Sequence, residues 1–337
     1  MKFLKVLSGI IILLAIILLI LNFLAPKDYE ISRSLIIDAP KEIVFKHIKY
    51  WKAWRDWSPW VERDKQMRIS VAGVDGEPGS IYKWTGNPEI TGKGEMINTG
   101  VKENQEITYR LRFLEPFESQ SDGYLRLLSD GKQVKALWGF KGHYGFPTNI
   151  MLLFTDMDKA VGADFERGLE LLKSICEKEA HDILQYQVHK VVLAGQRYAA
   201  VKGDVSFAEA GNFLADSYVQ IMRMLKRKGI RAKGPACALY YVWDEKNQTS
   251  KLAAAIPVNR RVKAGKVTTI EISPGIAYYV EYSGPYEKSA NAHYALDLYL
   301  QQHKLTKTLP VVEQYVIGPG QEKDSAKWLT KIYYYAE

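Results

Sequence analysis

One carboxylate stands inside an apolar, tyrosine-flanked segment near the C-terminus, Val311-Val312-Glu313-Gln314-Tyr315-Val316-Ile317. Read as a strand, the segment points successive side chains to opposite faces, so Glu313 shares a face with Val311, Tyr315 and Ile317. Trp328 and the run Tyr333-Tyr334-Tyr335 follow. A carboxylate on an aromatic face is costly to bury unpaired. A cation, a hydrogen-bond network or a nearby lysine would offset that cost. The chemistry on offer is of two kinds. A cation over a tyrosine or tryptophan ring gains ~0.5–2 kcal/mol, and a carboxylate adds charge pairing, offset by its own desolvation. An apolar setting can also turn a carboxyl into a general acid or base.

Other reactive residue types are dispersed. His47, His143, His181, His189, His293 and His303 show no metal-ligand spacing. Cys176 and Cys237 fall in different predicted domains, which supports neither a disulfide framework nor a cysteine-based zinc site. No metal and no cofactor is expected.

The 337 residues allow two ordinary domains, and 47% hydrophobic with 25% charged residues is the balance of a globular chain. The net charge of +8 divides as +3 over residues 1–27, −1 over 28–178 and +6 over 179–337. Much of the last excess is one cluster, Arg223, Lys226, Arg227, Lys228, Arg231 and Lys233. It closes a helix that Gly229 terminates, where cations are favoured, so nucleic-acid binding is not expected.

Lys2 and Lys5 precede an uncharged run from Val6 through Pro26. About 20 apolar residues suffice to span a bilayer. The exit Asn22-Phe23-Leu24-Ala25-Pro26 lacks the small-x-small pattern of a cleaved signal peptide. An uncleaved anchor over residues 1–27 is expected, touching lipid through residues 6–26. The N-terminus would be cytoplasmic and the soluble domains extracytoplasmic.

Residues 28–178 read as an α+β domain. Tyr29–Asp38 alternates as a strand, and Asp38-Ala39-Pro40 opens a helix. Strands are expected at Ser80–Trp84, Lys93–Thr99, Gln105–Phe113, Ser119–Leu128 and Gln133–Phe140, with turns such as Asp122-Gly123 and Asp130-Gly131. A long helix starts at Thr155 with Asp158 and carries the stripe Met157, Val161, Phe165, Leu169, Leu172 and Ile175. Trp51, Trp54, Trp57 and Trp60 recur every three residues, as a helix packed on the sheet or a platform at a cavity mouth. The segments Ser34–Pro40, Trp54–Trp60, Gly79–Trp84 and Phe165–Lys173 resemble the SRPBCC superfamily, in its polyketide-cyclase or START-like branch. That resemblance implies a helix-grip fold, a curved sheet wrapped on the last helix, often enclosing an apolar cavity.

After a linker at 179–182, residues 183–337 repeat one unit twice, 75–80 residues apart. A strand at Arg197–Lys202 leads to a helix, then Pro235 precedes the strand Ala238–Val242, and Leu252–Val258 follows. A strand at Ile276–Tyr282 leads to a helix over Ser289–His303, then Pro310 precedes Val311–Ile317, and Trp328–Ala336 follows. Segments Val280–Tyr286, Val312–Tyr315, Lys327–Tyr333 and Leu252–Val258 resemble the GyrI-like effector-binding family, also found in AraC-type and BmrR-type regulators. The resemblance implies a pseudo-twofold α+β domain with an aromatic pocket around Glu313 for a cationic, planar ligand. Its implied walls are Tyr315, Trp328 and Tyr333, with Tyr198, Tyr240 and Tyr286 as further candidates. Some GyrI-like proteins are implicated in hydrolysing reactive small molecules through this Glu. The chain departs from the regulators in having an anchor and an SRPBCC-like domain where they carry a DNA-binding helix-turn-helix. The expectation is a membrane-anchored binder of a small hydrophobic or cationic molecule. Its rivals are a hydrolase using Glu313 and a lipid-handling envelope protein.

Overall fold

The computed structural model describes every residue except Met1, Phe117, 130–132, Thr155 and Lys246. The helix start expected at Thr155 and the turn at Asp130-Gly131 lie outside the described residues. The chain divides into two compact units, Met1–His181 and Asp182–Glu337.

The first unit begins with helix α1 (Lys2–Leu24), which is long and apolar enough to cross a membrane. Strands β1 (Asp28–Ile37), β2 (Arg68–Ala72), β3 (Ile81–Thr85), β4 (Lys93–Lys102), β5 (Glu106–Glu115), β6 (Ser119–Ser129) and β7 (Val134–His143) pair antiparallel in the order β1-β7-β6-β5-β4-β3-β2. Short helices α2 (Lys41–Lys49), α3 (Trp51–Trp57) and α4 (Pro59–Arg63) fill the span between β1 and β2. Three-residue spacing puts Trp51, Trp54 and Trp57 along α3, and all three are buried, as packing on the sheet requires. Each finds an acceptor for its indole N–H: Trp51 at Ser80, Trp54 at the Ile48 carbonyl, Trp57 at the His47 carbonyl.

The long helix is α5 (Met157–Leu184). Phe165, Leu169 and Leu172 are buried along one stripe, and Phe165 stacks on Trp138 of β7 at 4.5 Å. Gly168 makes this approach possible, because a Cβ there would sit 2.4 Å from the Trp138 ring. The linker expected at 179–182 is instead helical, inside α5. The stripe continues through buried Cys176, Ala180 and Ile183, so nothing in the pattern stops the helix there.

The second unit is one eight-stranded antiparallel sheet under two helices. Its elements are β8 (His189–Leu193), β9 (Gln196–Ser206), α6 (Phe207–Arg227), β10 (Cys237–Asp244), β11 (Thr249–Val258), β12 (Thr268–Ile272), β13 (Gly275–Ser283), α7 (Ala290–Gln302), β14 (Lys307–Ile317) and β15 (Leu329–Ala336). The order is β12-β9-β11-β10-β14-β15-β13-β8. It reads as two β-β-α-β-β repeats meeting at β10 and β14. Each repeat's first strand crosses to the other repeat: β8 pairs with β13 and β12 with β9. Helix α6 packs over β9 and β11, and α7 over β13 and β15, so the central pair β10–β14 runs between the helices. The basic cluster closes α6 as expected. Gly229 takes φ +62°, and the Ile230 and Gly229 amides donate back to the Leu225 and Lys226 carbonyls.

Candidate functional site

Glu313 lies at the centre of the second unit. On β14 it pairs with Ala238 of β10 on one side and Ile332 of β15 on the other. Ala238 and Glu313 are 75 residues apart, as are Tyr240 and Tyr315. The two repeats therefore meet at a residue pair that is a methyl in one and a carboxylate in the other.

Glu313 is 9% exposed and its carboxylate oxygens are occupied. His293 of α7 holds Oε1 through Nε2 at 2.9 Å. Tyr315 donates to Oε2 at 2.8 Å, and Tyr240 approaches the same oxygen at 3.5 Å. These bonds offset the desolvation of the acid. Burial first, and the Glu313 charge second, push the Tyr315 and Tyr240 hydroxyls well above the usual phenol range, so both remain donors. Tyr218 of α6 is raised by burial and also feels Glu313, while its hydroxyl donates to the Cys237 carbonyl at 2.9 Å. Among the described residues, His293 is the basic side chain paired with this acid. Behind it, His293 Nδ1 meets the Tyr334 hydroxyl at 3.1 Å, which reaches Asp297 at 3.4 Å, and Asp297 pairs with Lys307.

Aromatic rings extend the site outward. Tyr286 packs on Tyr315 and on Trp328, both at 4.8 Å between ring centres. Trp328 is fixed by its indole N–H on the Glu322 carbonyl at 2.8 Å. The structure thus gathers Glu313, Tyr315, Tyr240, Tyr286 and Trp328. It does not bring in Tyr333 or Tyr198. Tyr333 pairs with Val312, the neighbour of Glu313, and so faces the other side of the sheet. Tyr198 joins that same opposite face with Val312, Cys237 and Leu239. Ile317 also leaves the Glu313 face, because the register shifts between Tyr315 and Ile317 and a bulged residue reverses the alternation. His293, Tyr334, Asp297 and Tyr218 belong to the network and were not singled out from sequence. The available signal was His293 and Asp297 four apart on one helix face.

The first unit holds a cavity of about 280 Å³ whose lining includes Tyr29, Trp54, Trp60, Trp84, Phe140 and Phe165. Its polar edge is already paired: Trp60 donates to Asp164 at 2.9 Å, Arg63 binds the same carboxylate, and Tyr29 meets Ser121.

No family model matches the chain, and no curated protein matches it. Solved structures that resemble it include the EcmrR C-terminal domain, 20% identical with TM-score 0.39, over 45% of this chain and 98% of that one. An EcmrR–DNA complex is 17% identical with TM-score 0.41, over 62% and 88%. SAV2435 bound to tetraphenylphosphonium is 16% identical with TM-score 0.35, over 45% and 93%. Likeness this distant carries no argument about function.

Proposed function

We propose that the second unit is a GyrI-like effector-binding module holding a cationic or amphipathic aromatic molecule at Glu313, with Tyr315, Tyr286, Trp328 and Tyr240 as its walls. The observation that carries this reading is a nearly buried carboxylate, met by neutral phenols and one histidine, at the end of a chain of aromatic rings. Such a site has negative charge and π-faces to offer and no strong cation of its own. Hydrolysis is the weaker reading. Among the described residues, the hydroxyls bonded to Glu313 are tyrosines held in the phenol form, which are poor nucleophiles.

The first unit is proposed to be an SRPBCC-like domain whose cavity takes a compact apolar molecule. Its volume sits at the lower edge of small-molecule sites, roughly 300–1,000 Å³. Helix α1 is proposed as an uncleaved anchor with a cytoplasmic N-terminus. Ile10 through Leu14 are each half or more exposed, an arrangement stable in lipid and not in water. At the helix end Asn149 donates to the Asn22 side chain at 2.9 Å, a tie that a cleaved leader would lose. Full-length mass in the membrane fraction is expected; a shortened, soluble product would overturn the anchor.

The binding reading is tested on the full chain in detergent with tetraphenylphosphonium. Calorimetry should show Glu313→Gln weakening binding roughly tenfold or more, with no change in compound mass. Equal affinities would remove Glu313 from recognition. A new product mass, absent with the variant, would establish the hydrolase instead.

A further inference from the structure

Of the walls named above, Tyr315, Tyr286 and Trp328 lie in the second repeat and Tyr240 in the first, which builds a counterpart around it. We infer that Phe207, Trp243 and Tyr240 form a second aromatic subsite, so that the ligand is a monocation with two aromatic arms, one on each stack, and its charge over Glu313. This rests on the reading of Glu313 as a cation site.

Tyr240 and Tyr315 are symmetry counterparts, and both hydroxyls turn to the same Glu313 oxygen. Phe207 and Tyr286 are counterparts too, 79 residues apart, each opening the helical segment that follows β9 or β13. Each of these rings carries a tryptophan. Trp243 stacks on Phe207 at 4.1 Å and 20°, and Trp328 lies on Tyr286 at 4.8 Å and 33°. Trp243 also meets Tyr240 edge-on at 5.9 Å, which ties this stack to the acid as Tyr286 ties the other.

The backbone turns Trp243 to this face by a specific device. The register of β10 shifts between Tyr240 and Val242, leaving Tyr241 as the extra residue. Without that bulge Trp243 would point to the opposite side; with it, Trp243 pairs with Ser250 and shares the face of Tyr240 and Leu252. The matching shift in β14 falls at Val316, 75 residues on. The tryptophans themselves come from different places, the end of β10 and the turn before β15, yet cover equivalent rings. Trp243 is 57% exposed, so one indole face is free to meet a ligand. The charge count follows from the axis: Ala238 and Glu313 supply one carboxylate between two arms, which fits one positive centre.

The test compares benzyltrimethylammonium with dibenzyldimethylammonium, which share a charge and differ by one ring, on the full chain in detergent. Wild type should bind the two-armed cation roughly tenfold tighter. Trp243→Ala should erase that advantage by weakening the two-armed cation much more than the one-armed one, with Trp243→Leu showing that ring stacking and not bulk is responsible. Thermal unfolding should barely move, because the ring is outside the core. If the two cations bind wild type equally while both depend on Glu313, the second subsite is wrong and the cation reading stands. If neither binds, both fail.

Discussion

The two units use the same residue types to different ends. In the first, aromatic rings interlock around Trp138, which touches Trp54, Trp57, Trp60 and Phe165, and its indole N–H is satisfied by Tyr109. The acid at the edge, Asp164, is neutralised by Arg63. In the second, the rings lead to an acid that no lysine or arginine neutralises among the described residues. The difference lies in what ends the chain of rings. In the first unit the rings end on a paired acid and form a core around a small apolar space; in the second they end on an acid met by one histidine and two tyrosines.

That contrast can be broken from the core side first. Trp138→Ala removes a fully buried ring and should cost about 3–5 kcal/mol, read by denaturant unfolding of the first unit. The affinity of the second unit for tetraphenylphosphonium should not change. Gly168→Ala forces a methyl against the same ring and should cost about 1–3 kcal/mol, measured the same way. Tyr315→Phe keeps the stack on Tyr286 but deletes the 2.8 Å donor to Glu313. It should lower stability by about 1.5–3 kcal/mol, the range for a hydrogen bond to a charged group, seen as a drop in Tm.

The smallest effect concerns the strand exchange. Glu271 of β12 faces Arg197 of β9 and also binds Arg261, and these guanidinium hydrogen bonds hold its carboxyl down to about 2. A folded value below the ordinary 4.5 means the contribution is present above about pH 4.5 and is lost as pH falls through about 2. Glu271→Gln should therefore lower Tm slightly at neutral pH, with the difference from wild type closing between pH 4.5 and 2. A constant difference across that range would show that the carboxylate charge plays no part.

Sequence pattern alone carried the long strands, the apolar helix α1, the internal repeat and the pairing of Glu313 with Tyr315. It failed where the physical signal is thin. The strands β2, β8 and β12 carry only a weak signal: each is five residues long, lies at a sheet edge and is half-buried or exposed throughout. Exchange of β8 and β12 between repeats is a long-range pairing with no local mark. The bulges at Tyr241 and Val316 cannot be read from alternation, and they are what sends Ile317 away from Glu313 and brings Trp243 toward it. Tyr198 and Tyr333 were drawn in by residue type, but the register assigns them to the opposite face. His293 escaped notice because its partner Glu313 is 20 residues away on another element.

If Glu313 holds the ligand's charge, the sign of that charge decides binding. Tetraphenylphosphonium and tetraphenylborate have nearly the same shape and opposite sign, so titrating the full chain with each isolates that term. The phosphonium should bind, the borate should not, and Glu313→Gln should narrow the gap by weakening the phosphonium. Equal binding of both ions by wild type would contradict it.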